Sequence, residues 1–478
     1  MKILNNIYLK NIFWNFLNQF GKSGFQIVVT LILARLLTPD DFGTIAMVTI
    51  ITQFAELVID SGFLLGIVQI KDITQKELSS VFFLNLGIGI SCTLIIYLIA
   101  PWIAEIYHNA DLINVARVLS ISCIFTASAV VQHGLMIREM NYRNRTIAQL
   151  ISQLISGIIA IWLANKGFGV MALVYYSLIQ SFLSALLYWL QSKWRPQLYF
   201  AFNDLRRIWA FSSNILGVTL LGNIAGRTDL FLTGKFFTPK VLGFYSKGKD
   251  FAMLPATIGG EIVALSLFPI LSRLEGDEFN KSFYKTLKIL MFISTILFSL
   301  LCINAKEITL ILLGKGWEEA DIIFRLYFCV AFFYMINTFF TFVINATGKS
   351  RTNLRKELLQ APVRIVMLIV IYYIIKPVNT LPFIYFWIVY YIVSNVYSQF
   401  LISKICNINF WDTLVGYQYI VFAIIAGGST FFLIDFHSDI LNILTRSGAF
   451  ILLFSIVLFL VKDNIIGLIK NYIRKYRV

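Results

Sequence analysis

The chain has 478 residues, of which 58% are hydrophobic and only 14% are charged, and its mean hydropathy is +0.77. Because a soluble domain carries roughly 25% charged residues, this composition excludes a soluble globular protein. The long apolar runs are continuous and close to the length of about 20 residues that crosses a bilayer, which favours helices over the alternating strands of a membrane barrel. The sequence therefore predicts an all-α polytopic membrane protein.

About fourteen predicted spans lie between the polar breaks of the chain. They fall near residues 12–34, 43–66, 81–100, 113–137, 147–164, 169–190, 208–234, 241–271, 286–304, 318–345, 356–375, 381–403, 413–434 and 440–461. With the N-terminus placed inside, cytoplasmic segments hold roughly 25 Lys and Arg residues and the opposite loops about nine. The net charge of +15 is thus a topology signal, which predicts cytoplasmic termini and does not indicate nucleic acid binding.

Polar side chains recur at steps of three and four residues in the first two spans, which places each set on one helix face. These residues are Asn15, Gln19, Lys22 and Gln26 in the first span, and Thr49, Gln53, Glu56 and Asp60 in the second. The seventh and eighth spans each carry a further polar set, namely Thr219, Asn223, Arg227 and Asp229 in the seventh, and Asp250, Thr257 and Glu261 in the eighth. Such faces predict a polar cavity inside the membrane.

A turn sequence occurs twice in the chain. "RLLTPDDFG" at 35–43 returns as "KFFTPKVLG" at 235–243, and basic connections at 137–145 and 346–356 follow at similar offsets. Because each copy has six spans, the sequence predicts two six-helix bundles in pseudo-two-fold repeat around a central cavity. The predicted divisions are an N-terminal bundle at 1–190, a cytoplasmic linker at 191–207, a C-terminal bundle at 208–404, and two extra helices with a basic cytoplasmic tail at 405–478.

Charged side chains inside a bilayer indicate either a wet cavity or mutual pairing, since each costs about 2.5–3.5 kcal/mol in hydrocarbon. As a substrate cavity, the candidates are Lys22, Gln26, Asn223 and Arg227. The candidates for charge balance or ion coupling are Glu56, Asp60, Asp229, Asp250 and Glu261. The alternative is purely structural, with Lys22 paired to Glu56, and Arg227 paired to Asp229 or Glu261.

Neither metal nor cofactor chemistry is indicated by the remaining reactive residues. The five cysteines lie far apart and form no CxxC, and the three histidines stand in no ligand spacing. We therefore expect no disulfide, no metal site and no cofactor.

Several stretches resemble a known family, among them "LARLLTPDDFGTIAMV" (33–48), "TDLFLTGKFFTPKVLGFYSKG" (228–248) and "LLGKGWEEA" (312–320). They are similar to the Wzx-type polysaccharide exporter and lipopolysaccharide biosynthesis flippase family, in particular its colanic-acid-exporter-like members. This family belongs to the multidrug, oligosaccharidyl-lipid and polysaccharide flippase superfamily. The resemblance implies acidic motif positions at Asp60 and Asp229.

The resemblance also implies an activity: a flippase that moves polyprenyl-diphosphate-linked oligosaccharide repeat units across the bacterial inner membrane by alternating access, for O-antigen, capsule or exopolysaccharide synthesis. A polysaccharide polymerase and a chain-length regulator are possible partners. A multidrug or cation antiporter of the same superfamily remains the alternative. A membrane enzyme acting on lipid-linked sugars is disfavoured because it needs a sizeable outer loop for its catalytic groups, and the predicted loops are short.

Overall fold

The computed structural model describes residues 2–60, 63–70, 72–274, 276–376, 378–414, 416–433, 438–461, 465 and 467. Within these ranges the chain is helical and has no strand. The α-helices are α1 (Lys2–Leu36), α2 (Pro39–Asp60), α3 (Phe63–Gln69), α4 (Gln75–Ile106), α5 (Leu112–Ser120), α6 (Ser122–Arg138), α7 (Tyr142–Asn165), α8 (Val170–Gln191), α9 (Phe202–Phe236), α10 (Pro239–Leu271), α11 (Gly276–Ile303), α12 (Ala305–Leu313), α13 (Asp321–Ala346), α14 (Ser350–Val370), α15 (Leu381–Cys406), α16 (Gln418–Leu433) and α17 (Asp439–Leu460). Shorter turns of 3-10 helix span Glu318–Ala320 and Phe410–Leu414, and a π-helix spans Ile371–Ile375.

Eleven helical stretches of the described chain are long and apolar enough to cross a bilayer. The all-α, polytopic membrane class is therefore confirmed. The predicted spans that fall on α1, α9 and α10 are not among the eleven, so the count of about fourteen is not confirmed. These three helices carry three of the four polar sets that the sequence reveals.

The helices cluster into two compact units, Met1–Gly243 and Phe244–Val478. In the first unit α7 packs against α1 and α8, while α4 packs against α5 and α6. Phe63, Val81 and Val131 from α3, α4 and α6 are fully buried together, and burying each such side chain stabilises the packing by about 1.5–3 kcal/mol. The boundary between the units follows the second Thr-Pro turn, whereas the division predicted from sequence lies at 191–207 and stays a prediction.

The segment from α8 to α9 lies across the first turns of α4. The Trp194 indole N–H donates to Gln75 Oε1 at 2.6 Å, and Gln75 Nε2 donates to the Arg195 carbonyl at 2.7 Å. The Gln197 backbone N–H donates to Ser79 Oγ at 3.0 Å. These hydrogen bonds satisfy backbone and side-chain groups that have no helical partner, and they fix the path of the predicted linker.

The two copies of the Thr-Pro turn contact each other within the first unit. A Cβ atom added at Gly43 would overlap the Pro239 carbonyl, and one added at Gly243 would overlap the Pro39 carbonyl. The contact is reciprocal, as expected for two copies of one motif around a local two-fold axis. Glycine is therefore required at both positions by the close approach of the backbones.

In the second unit, a buried ion pair attaches α17 to α12. Arg446 Nη1 lies 2.7 Å from Glu307 Oε1, and both side chains are almost fully buried. Beside this pair, Asn304 Nδ2 donates to Ser447 Oγ at 3.1 Å. Asn304 lies directly before α12. The ion pair and this hydrogen bond are therefore neighbouring contacts, and together they hold α17 against α12. The basic tail predicted after α17 lies largely outside the described residues.

Candidate functional site

A cavity of about 670 Å³ lies in the first unit and is lined by α1, α2, α3, α6, α7, α8 and α9. It combines charged, neutral polar and apolar side chains. Its lining consists of Lys22, Gln53, Glu56, Leu57, Asp60, Leu64, Phe125, Thr126, Ala129, Val130, His133, Gln149, Gln180, Ser181, Ser184, Ala185, Tyr188, Asn223 and Arg227. A concave site of this size with convergent polar groups is typical of a ligand-binding pocket.

Five of the nine residues predicted from helical spacing meet in this cavity. Lys22 comes from α1, Glu56 and Asp60 come from α2, and Asn223 and Arg227 come from α9. Glu56 and Asp60 are four residues apart on α2, and Asn223 and Arg227 are four residues apart on α9. Each pair therefore projects from one face of its own helix. Helical spacing thus brings two cations and two carboxylates to the lining of one cavity in the membrane-spanning unit.

The charges of the cavity are arranged around Glu56. This carboxylate lies within electrostatic reach of both Lys22 and Arg227. Within the described part of the chain, Lys22 and Glu56 form no ion pair, since no N–O distance between them is within 4.0 Å. The Lys22 side chain is exposed to the cavity, and the Asn223 amide donates to the Thr219 carbonyl of its own helix at 2.9 Å. The ammonium group is consequently available to an incoming anion.

The other four predicted residues lie elsewhere. Gln26 is exposed one turn beyond Lys22 and is not part of the cavity lining. Asp229 is fully buried and also lies off the lining. Asp250 and Glu261 belong to the second unit, where Asp250 lies 3.4 Å from Lys247 on the same helix. The structure therefore does not bring these four side chains to the cavity.

The neutral wall of the cavity, formed by α6, α7 and α8, consists of residues that the charge-based spacing argument missed. Gln180, Ser184 and Tyr188 follow steps of four along α8, and Thr126 and His133 are two turns apart on α6. The same helical spacing would have identified them, but α8 carries no charged residue and the one charged residue of α6, Arg138, lies at the end of its helix, away from this face. The wall offers amide, hydroxyl and imidazole groups.

His133 and Tyr188 form a stacked pair within this wall. Their ring centroids are 5.2 Å apart and the ring planes differ by 5°. The Tyr188 hydroxyl lies beside the side chains of Gln149 and Arg145. The His133 Nε2 atom is buried and has no hydrogen-bond partner among the described residues. An imidazole nitrogen in this position can bind a proton or a ligand hydroxyl.

A second cavity, of about 580 Å³, lies within the second unit between α11, α13, α15 and α16. Its lining is mainly aromatic and aliphatic, with Phe298, Phe328 and Phe332 among its walls and Arg325 as its charged member. The cavity contrasts with that of the first unit, where charged and amide groups converge. Among the described lining residues, the polar side chains are few: Thr295, Ser299 and Arg325, with Cys302 and Cys329.

Comparison with known proteins places these features in a family. The sequence pattern of the family described as "Polysaccharide biosynthesis protein" matches residues 32–321, which is more than half of the chain. The succinoglycan biosynthesis transport protein ExoT of Rhizobium meliloti (strain 1021) is 25% identical over 319 residues, covering 65% of this chain and 63% of ExoT. The match spans less than two thirds of the length of the curated relatives.

Two solved structures share the fold. The lipid II flippase MurJ in an inward closed conformation matches with a TM-score of 0.70 and 14% identity, covering 95% of this chain and 100% of MurJ. An inward-facing multidrug resistance MATE family transporter of the MOP superfamily matches with a TM-score of 0.58 and 13% identity, covering 83% of this chain and 98% of that transporter. At these identities the likeness concerns the fold alone. The family match, in contrast, includes both Thr-Pro turns and confirms the resemblance drawn from the sequence: this chain belongs to the polysaccharide biosynthesis protein family.

Proposed function

We propose that the chain is a flippase, which translocates polyprenyl-diphosphate-linked oligosaccharide repeat units across the bacterial inner membrane by alternating access. The observation that carries this proposal is the polar cavity of a membrane-spanning unit, in which Lys22 and Arg227 accompany a wall of amides and hydroxyls. A lipid-linked oligosaccharide needs both kinds of group, because its head combines an anionic diphosphate with uncharged sugars. The product would serve O-antigen, capsule or exopolysaccharide synthesis.

Lys22 and Arg227 are the proposed diphosphate ligands. Both line the cavity and come from different helices. A guanidinium binds phosphate oxygens in a bidentate manner and an ammonium attracts them as a point charge. Since an unpaired cation in hydrocarbon costs about 2.5–3.5 kcal/mol, a cavity that keeps cations wet and available is suited to an anionic ligand. Glu56 and Asp60 balance these charges in the empty cavity or carry a coupling ion.

The sugars would contact the neutral wall. Gln149, Gln180 and Ser184 each present hydrogen-bonding atoms toward the cavity, and Tyr188 adds an aromatic ring. Sugar hydroxyls both donate and accept hydrogen bonds, so amides and hydroxyls, which also do both, match them well. In this arrangement the polyprenyl chain stays among the bilayer lipids.

The alternative is a drug or cation antiporter, and two observations favour it. The fold is shared with a MATE family transporter, and the cavity contains the carboxylates Glu56 and Asp60, which could hold a cation. We rank it second because Lys22 and Arg227 disfavour a cationic ligand in the same cavity.

We also propose a non-enzymatic role for the chain and cytoplasmic termini. The proposed partners are a polysaccharide polymerase and a chain-length regulator, which receive the product.

Deletion of the gene in its host tests the proposal. Labelled lipid-linked oligosaccharides are followed by leaflet, with an enzyme that trims only sugars exposed outside the membrane. Complete repeat units should accumulate in a protected pool, surface polysaccharide should disappear, and the wild-type gene should restore it. Exposed but unpolymerised repeat units would contradict the proposal and favour an enzyme, and an unchanged lipid-linked pool would favour small-molecule export.

A further inference from the structure

His133 occupies a position in the first-unit cavity that the proposed transport step does not use. It projects from α6 into the cavity, stacks on Tyr188, and keeps a buried Nε2 atom without a hydrogen-bond partner in the described part of the chain. A neutral imidazole accepts a proton near physiological pH more readily than any other ordinary side chain. The position therefore suits a group that changes its charge during the transport cycle.

The surroundings of His133 contain more positive than negative charge. The ionisable groups that face it are Lys22 from α1, Glu56 and Asp60 from α2, Arg145 from α7, Tyr188 from α8 and Arg227 from α9. Helices α3, α4 and α5 add no ionisable side chain to the described lining. With all five groups ionised, three cations against two carboxylates leave one formal positive charge around the imidazole while the cavity is empty.

We propose that His133 binds a proton when an anionic diphosphate enters the cavity, so that ligand binding and proton uptake are linked. The inference rests on the proposed function and names the coupling group for it. A dianionic diphosphate diester changes the local balance from one net positive to one net negative charge. That change favours the imidazolium, whose Nε2–H becomes a donor toward the cavity.

Anion binding and protonation of His133 affect each other to the same extent, which gives the proposal a second observable consequence. If the anion promotes protonation of His133, then protonation of His133 must tighten binding of the anion by the same factor. Affinity for the diphosphate should therefore rise as pH falls, by up to roughly tenfold per pH unit for one linked proton. In transport, release of the anion on the far side would release the proton there as well.

The experiment measures proton uptake on ligand binding to the purified full chain in detergent. The probe is a polyprenyl diphosphate esterified to one sugar, whose phosphates do not titrate near neutral pH. Uptake is read with a pH indicator in weak buffer, and affinity is measured between pH 6 and pH 8. The variants are His133→Asn and His133→Gln, and the matched control is His108→Asn, because His108 is an exposed histidine outside the cavity.

Wild type and His108→Asn should take up about one proton per bound ligand, whereas both His133 variants should bind the probe with almost no uptake and a flat pH dependence. Unchanged uptake in either folded His133 variant would overturn the inference and assign the proton to Glu56 or Asp60. Binding to wild type without proton uptake would overturn the inference while leaving the proposed function intact. Failure of wild type to bind the probe at any pH would contradict both.

Discussion

At the scale of single residues, the charged side chains of the first-unit cavity must satisfy two opposing requirements. Each must be tolerated in a membrane-spanning helix, and Lys22 and Arg227 must also remain accessible to a ligand. The cavity meets both requirements because Glu56 lies within electrostatic reach of the two cations without an ion pair to Lys22 within 4.0 Å. A ligand anion can therefore approach the ammonium without first breaking a direct salt bridge.

Removal of either cation should reduce transport. A hydrogen bond to a charged group contributes about 1.5–3 kcal/mol, so Lys22→Ala and Arg227→Ala should each weaken diphosphate binding by at least about tenfold. Lys193→Ala, which removes an exposed lysine of the segment between α8 and α9, provides the control. The measurement is affinity for the lipid-linked probe, together with the amount of protein in the membrane. Equal loss in the control would contradict the assigned role of the cavity cations.

Helical spacing of charged residues identified the charged part of the cavity lining and missed the neutral wall, for a physical reason. Glu56 and Asp60 attract attention because charge in a membrane helix is costly, whereas Ser184 and Tyr188 are tolerated in any span. Gln26 differs from Lys22 in its position along α1. It shares a face with Lys22, but it lies about 6 Å further along the helix and is not part of the cavity lining.

At the scale of elements, the repeated Thr-Pro turn is a packing motif. Each copy contributes a proline carbonyl and a glycine, and the glycine of one copy accommodates the carbonyl of the other. The sequence repeat alone predicted related turns. It could not predict that they contact each other, because contact depends on how α2, α9 and the start of α10 pack.

Substitution at this contact should be destabilising. Gly43→Ala and Gly243→Ala insert a methyl group where a backbone carbonyl lies, and overpacking of this kind costs about 1–3 kcal/mol. Gly87→Ala is the matched control, since Gly87 is an exposed helical glycine with no atom within 4 Å of an added Cβ. Thermal unfolding in detergent should show lower apparent melting temperatures for the first two variants. The control should be unchanged or slightly stabilised, by up to about 1 kcal/mol. A control as unstable as Gly43→Ala would refute the packing explanation.

The buried ion pair between α12 and α17 should depend on both partners. Arg446→Leu leaves the Glu307 carboxylate buried without its cation, and breaking such a pair costs about 3–5 kcal/mol. The double variant with Glu307→Leu removes both charges and should recover much of the loss. The comparison of both single variants with the double variant in a thermal unfolding cycle measures this coupling. Additive losses would show that the two charges do not interact.

At the scale of the whole molecule, the all-α polytopic membrane class followed from hydropathy, whereas the predicted division of the chain at 191–207 stays a prediction. Continuous apolar runs predict spans because a bilayer leaves the backbone no other way to satisfy its hydrogen bonds. The division observed at Gly243 reflects contacts of α9 with α2, α3 and α4. Such contacts between distant segments have no local signature, so a polar linker was the best boundary that the sequence offered.

Translocation by the purified chain tests the central claim most directly. The protein is reconstituted into vesicles that contain a fluorescent polyprenyl-diphosphate oligosaccharide in both leaflets, and an external glycosidase trims the exposed sugars. Wild type should allow trimming of the whole pool, while the variant that combines Lys22→Ala and Arg227→Ala should leave the inner-leaflet share intact, as in protein-free vesicles. If wild type leaves that inner share protected under imposed proton gradients of either direction, the chain is not the flippase proposed here.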